Sequence, residues 1–376
     1  MAIIVRPISS KKEMNQFVKF RIDLYKESPY AIPPLYMDDL ATLDPKKNPA
    51  FEFCEAQCFL AFEDDKIVGR ICAMINHRAN EVWKTQSGRF GFLDFIDNEE
   101  VSKALFAAAE AWVKAKGMHH IHGPLGFTDM DQEGMLIEGY DQIGTMATIY
   151  NYPYYVTHIE KLGYKQDADW VEYKIMIPDA IPEKHRRISE IVMKKYNLRI
   201  LKYTSTSKLI KDGYGQKLFD LVNSSYSHLY GFTPLTQKQI EYYIKMYISM
   251  LKLDFLTLVV DESNELIGMG VAMPSLSKAL QKAQGKLFPF GFIHILKALK
   301  MKNPVIDLLL IAVRKDYQSK GVNALMFYDF IPYLNKGGVK YAESNPELLE
   351  NEKVQSQWEY FENVNHKRRR AYIKAV

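Results

Sequence analysis

Asp307-Leu-Leu-Leu-Ile-Ala-Val313 is followed by Arg314-Lys-Asp-Tyr-Gln-Ser-Lys320, by Gly321-Val-Asn323 and by Ala324-Leu-Met-Phe-Tyr-Asp-Phe330. The first run is apolar almost throughout, the pattern of a strand buried on both faces, and the last recovers apolar residues at helical spacing. A strand that feeds a helix through a short polar loop aims unpaired backbone N–H groups and the positive end of a helix dipole at one point. Such a point suits an anion, and phosphate is the usual guest. A lone glycine at a helix start also occurs for steric reasons alone, so the loop needs support from the rest of the chain.

That support is a repeat. Ile67-Val-Gly-Arg-Ile-Cys-Ala-Met74 aligns with Leu266-Ile-Gly-Met-Gly-Val-Ala-Met273, so that Gly69 and Gly268 occupy equivalent places. Each stretch is the second arm of an expected hairpin, Gln57–Phe62 with Ile67–Ile75 and Leu256–Val260 with Leu266–Met273. A repeat some 200 residues long suits duplication of a whole domain rather than a solenoid. The first half continues with expected strands at Ile3–Ile8, Phe90–Phe95 and His119–His122, helices at Lys11–Lys26 and Glu99–Lys116, an irregular loop over Ser28–Pro49 and a closing strand pair within Tyr164–Ile177. The second continues with helices at Ile188–Tyr196, Gly213–Tyr230 and Gln237–Leu251, a strand at Val339–Glu343, a helix around Glu347–Phe361 and a last strand at Arg370–Lys374. Pro178 and Pro182 place the boundary near residue 180, giving domains 1–180 and 181–376.

The chain of 376 residues is 47% hydrophobic and 25% charged, enough for full cores and against wholesale disorder. A formal charge of +4 suits an anionic ligand without demanding nucleic acid. Cys54, Cys58 and Cys72 read as reduced core thiols, and neither they nor His119, His120 and His122 have metal-ligand spacing. With no apolar run of membrane length, a cytoplasmic protein that is not an integral membrane protein is expected.

The strand with Gln318-x-x-Gly321-x-x-Ala324 resembles the acyl-CoA pyrophosphate loop of the GNAT acyltransferase superfamily, whose usual form is Arg/Gln-x-x-Gly-x-Gly/Ala; Asn323 departs from its third position. Together with the insertion at about 275–304, Ala342-Glu343, Glu350-Asn351 and Lys367-Arg-Arg-Arg-Ala-Tyr372, it resembles an uncharacterised bacterial family with two GNAT domains in tandem. The resemblance implies a mixed-sheet α/β fold twice over. It also implies that acetyl-CoA or another acyl-CoA is a co-substrate, with no metal, and that an amine is the acceptor. It further implies that Ile311, Ala312 and Val313 line the pantetheine arm, that Gln318, Ser319, Lys320, Gly321, Val322, Asn323 and Ala324 hold the pyrophosphate, and that Asn351 touches the cofactor. Where the family carries a tyrosine acid this chain has Trp358, with Tyr360 two residues on as the substitute proton donor. Glu343, at a strand end, is the expected general base.

The matching position of the first half reads Asp94-Phe-Ile-Asp-Asn-Glu-Glu100, without glycine and with four acidic residues, so only the second half is expected to bind CoA. In the insertion, Leu287-Phe-Pro-Phe-Gly-Phe-Ile-His-Ile-Leu296 precedes Lys297, Lys300 and Lys302. It reads as a lid or inter-domain element, as a wall for a long acyl chain, or as a docking patch for a membrane or an acyl carrier protein. Transfer of a long chain from acyl carrier protein and non-catalytic acyl-CoA sensing are the alternatives to CoA-dependent N-acyl transfer. The run Lys367–Arg370 reads as a solvated charge run on an edge strand.

Overall fold

The computed structural model describes residues 2–248, 251–300 and 303–376. The first half supplies β1 (Ile3–Pro7), β2 (Cys54–Glu63), β3 (Lys66–Asn76), β4 (Ser87–Phe95), β5 (His120–Gly123), β6 (Met135–Glu138) and β7 (Lys165–Met176). The second supplies β8 (Arg199–Leu201), β9 (Leu256–Val260), β10 (Leu266–Pro274), β11 (Val305–Val313), β12 (Tyr341–Glu343), β13 (Glu347–Leu348) and β14 (Asn363–Ala375). They form one 14-stranded sheet in the order β1-β2-β3-β4-β5-β14-β7-β12-β11-β10-β9-β8, with β6 on β14 and β13 on β7.

The order β1-β2-β3-β4-β5 is repeated as β8-β9-β10-β11-β12 from the other edge, and in each copy the fourth and fifth strands are parallel. The aligned glycines have one task. A Cβ on Gly69 would stand 2.7 Å from Leu105 and 3.1 Å from Val101, on the helix Glu99–Ala115 that follows β4; one on Gly268 would stand 3.0 Å from Met326 and 3.1 Å from Val322, at the helix Asn323–Gly337 that follows β11. Each glycine lets that helix lie close on the third strand. The first helix presents Val101, Leu105, Ala109 and Val113 four residues apart to the core, with Asn98 capping its start.

β14, the last strand, lies between β5 and β7, so the end of the chain completes the sheet of the first half. This corrects the edge-strand expectation. Lys367 and Arg369 are about 1% exposed and both pair with the fully buried Glu172 of β7, while Arg368 and Arg370 share Asp169. Burial works against the charge of Glu172, but Arg369 and Lys367 outweigh it and hold its carboxyl below the ordinary range. Tyr164–Ile177, expected as a strand pair, is the single strand β7, long enough to serve both halves. The helix expected over Glu347–Phe361 is instead β13, a short helix Glu352–Gln355 and a 3-10 turn Trp358–Tyr360. The Pro-rich loop contains a helix, Tyr36–Thr42. Among the described residues, no helix is long and apolar enough to cross a membrane.

Candidate functional site

β11 pairs with β12 only over Val305–Asp307 and Tyr341–Glu343, and then runs on to Val313 as β12 ends. Opposite β10 the register slips between Val271 and Ala272, which leaves Leu309 as an extra residue on β11, a β-bulge. Leu308 to Ile311 are accordingly only half-buried, although the strand is interior to the sheet. At the far end of this V, Ser319 and Gly321 have left-handed backbone (φ 59° and 81°), and the N–H groups of Ser319, Gly321 and Val322 meet no backbone carbonyl among the described residues. Alternating conformations of this kind form an anion-binding nest at a helix start. The backbone of residues 318–323 thus suits an anion, and the half-buried side of β11 leads up to it.

The structure keeps the predicted loop together but turns several side chains inward. Gln318 Nε2 donates to Val313 O (3.1 Å), Lys320 lies over the Tyr196 and Tyr317 rings, and Val322 and Ala324 are buried. The loop therefore offers an anion its backbone, with the exposed ammonium group of Lys320 beside it. Asn323 Nδ2 donates to Gln357 Oε1 (3.3 Å), which ties the loop to the segment that begins at Asn351. On β11, Ile311 O accepts from Tyr226 and Val313 O from Ser225, so the carbonyls of the predicted pantetheine residues already have partners.

Glu343 is at the apex of the V, paired across the strands with Asp307. It is nearly buried and bonded to His366 Nε2 (2.9 Å) and Lys367 Nζ (3.1 Å), an ion-paired carboxylate rather than the solvated strand-end group that sequence also permits. Tyr360 is 47% exposed, stacked on Lys184 (3.7 Å) and His185. Among the described residues its contacts are with the helix Glu183–Tyr196 and not with the V, so as an expected acid it is misplaced.

Three groups beside the V were missed in the sequence. Glu347, just after Pro346, accepts from Trp358 Nε1 (2.9 and 3.1 Å), and burial pushes its carboxyl up to about 8. Asn345 Nδ2 donates to Leu309 O at the bulge (3.0 Å), while its Oδ1 is buried without a partner. Asp307 is 1% exposed, and burial, only partly offset by the Ser275 hydroxyl, pushes it up to about 7. Trp358, in the position where a tyrosine acid was expected, thus holds a carboxyl that is protonated at neutral pH.

In the first half the equivalent V is filled by the chain itself. Beyond Arg89 and His122, where β4 and β5 part, Leu125 N donates to Phe90 O (2.9 Å), and a Cβ on Gly91 would stand 2.3 Å from Leu125 O. Three of the four acidic residues there are spoken for: Asp94 pairs with buried Arg70, Asp97 with His158 and Glu99 with Lys161. His122 bonds Asp167 (3.1 Å) and Tyr230 (3.0 Å).

No protein-family model matches the chain. Among curated proteins it is 30% identical to Protein YghO of Escherichia coli over 317 residues, 84% of this chain and 80% of that one. It is 29% identical to the bacterial ceramide synthase of Caulobacter vibrioides over 321 residues, 84% and 81% of the two. Among solved structures, a tandem GNAT protein from the clavulanic acid biosynthesis pathway superposes with a TM-score of 0.57 at 12% identity, over 99% of this chain and 98% of that one. A GCN5-related N-acetyltransferase from Sphaerobacter thermophilus gives 0.53 at 12% identity, over 99% and 95%. The chain belongs to the family of Protein YghO, with the fold of two GNAT domains in tandem.

Proposed function

We propose that the chain is an N-acyltransferase that moves a long acyl group from CoA to the amine of a long-chain amino alcohol, at the V between β11 and β12. The observation that carries the reading is β11 itself, bulged at Leu309, open on one side and ending in the left-handed loop at Ser319–Gly321. In this reading a strand N–H near the bulge polarises the thioester carbonyl. The chain class comes from two sources. A ceramide is the amide of a fatty acid with a long-chain amino alcohol, and the Caulobacter relative is named for making it. The side of β11 that bears Leu309 also meets an apolar cluster of Met273, Leu276, Leu280, Ile143 and Met146.

The amine nitrogen attacks the thioester carbon, the carbon–sulfur bond breaks and an amide forms. Glu343, through its bond to His366, takes the proton that the amine loses. Glu347, protonated at neutral pH and steadied by Trp358, supplies the proton that the leaving thiolate gains, the task for which Tyr360 is misplaced.

Incubation of the purified protein with palmitoyl-CoA and a saturated long-chain 2-amino alcohol should release free thiol and give the amide by mass spectrometry. Thiol release without amide, or no reaction with any acyl-CoA, overturns the reading. Glu347→Gln should lower kcat roughly a hundredfold with KM for the thioester little changed. In the native enzyme activity should fall as pH rises past about 8, because Glu347 then loses the proton it must give. In Glu347→Gln that alkaline limb should be gone; an unchanged limb assigns it to another group.

A further inference from the structure

The insertion carries a surface that acyl transfer does not use. Phe288 is 77% and Phe290 69% exposed, the two largest such values among the described large apolar side chains, and Phe292, Ile293 and Leu296 on the helix Gly291–Lys300 are exposed beside them. Phe288 and Phe292 rings lie 5.9 Å apart, so the aromatic residues form one protrusion at the helix start. The same helix turns Ile295, Ala298 and Leu299 inward onto the cluster that contains Leu309 and Met273. Its two apolar faces therefore have different fates: one is satisfied by the protein and one is not.

Within the insertion itself the charge is of one sign. Residues 266–306 contain no aspartate or glutamate, in a chain where acidic residues number 45 against 49 basic ones. Lys278, Lys282, Lys286, Lys297 and Lys300 from this stretch are all exposed. Protruding aromatic rings flanked by lysines, in a segment with no carboxylate of its own, match the headgroup boundary of an anionic bilayer, where rings enter the acyl region and ammonium groups meet phosphates. An acidic protein partner would complement the lysines too, but a cluster of phenylalanines at one protruding tip, rather than in a flat or concave patch, suits insertion into a bilayer.

We propose that residues 286–300 dock the protein on an anionic lipid surface, with Phe288, Phe290 and Phe292 inserted at the interface and Lys286, Lys297 and Lys300 on the headgroups. This goes beyond the transfer reading. The inward face of the helix shares its cluster with Leu309, so a docked protein would hold the V close to molecules that live in the bilayer.

The test is co-sedimentation of the full chain with vesicles of phosphatidylcholine and of phosphatidylcholine mixed with an equal part of phosphatidylglycerol, with no acyl donor or acceptor present, so that this inference and the transfer reading fail separately. The native protein should bind the mixed vesicles and lose binding as salt is raised. Phe288→Ser with Phe290→Ser should weaken partitioning at least about tenfold. Lys297→Glu with Lys300→Glu should weaken it about fivefold per lysine on the mixed vesicles and leave phosphatidylcholine unaffected. All four side chains are exposed, and unchanged melting curves would show that the variants fold. No binding to the mixed vesicles, equal binding by the variants, or binding to acyl carrier protein that the lysine variant abolishes while vesicle binding persists would each overturn the proposal.

Discussion

Replacing Gly321 by aspartate is expected to reduce CoA affinity at least about a hundredfold, or ~2.7 kcal/mol. Gly321 has φ 81°, a conformation that costs a side chain about 1 kcal/mol. A Cβ there would stand 3.0 Å from Ile188 and 3.3 Å from Val192, so the loop must shift against the helix Glu183–Tyr196. The new carboxylate would also enter the nest at Ser319–Val322, where a like charge at close range near the surface costs a further ~1–4 kcal/mol. Gly321→Ala separates these contributions: it carries the strain and the contact without the charge, and should lose only about fivefold. Titration calorimetry with CoA measures both. An aspartate variant that binds as the native protein does would remove the loop from the site.

Glu172→Ala should destabilise the protein by roughly 3–5 kcal/mol, because it leaves Arg369 buried without its counter-ion and Lys367 with Glu343 alone. The three residues join β7 to β14, the crossing where the end of the chain enters the first half. The pH dependence carries the sign. A carboxyl held below its ordinary range in the folded state stabilises above the unfolded pKa and loses that contribution as pH falls through the folded value. Native stability should therefore decline on acidification below about pH 4.5, and the gap between native and variant should narrow over the same interval. Chemical denaturation at neutral and acidic pH checks this. A gap that stays constant would mean that Glu172 acts by packing alone.

The hairpins and the strand–loop–helix at 307–330 were legible because each buries a continuous apolar run within a short span, and Gly69 and Gly268 exposed the duplication because close helix packing demands the same residue twice. The exchange of β14 was not legible. Lys367-Arg-Arg-Arg370 carries the charge of a surface strand, and only Glu172 and Asp169, some two hundred residues away, allow it into the middle of the sheet. The loop of the candidate site was found through its glycine, whereas Glu347 was hidden. A periodic pattern ran a helix through it and put it on an exposed first turn, while the chain lays it against β7 as β13. Asp307 and Asn345 likewise acquire meaning only where β11 and β12 part, a feature with no local signature.

The most direct measurement is the stoichiometry of CoA binding by calorimetry on the full chain. One molecule per chain is expected, because β11 of the second half is only half-buried over Leu308–Ile311 and leads into the nest at Ser319–Val322, whereas the first half has no such glycine loop and Leu125 lies in its V. Two molecules per chain would show that the first half also binds, and none would remove acyl-CoA from the site altogether.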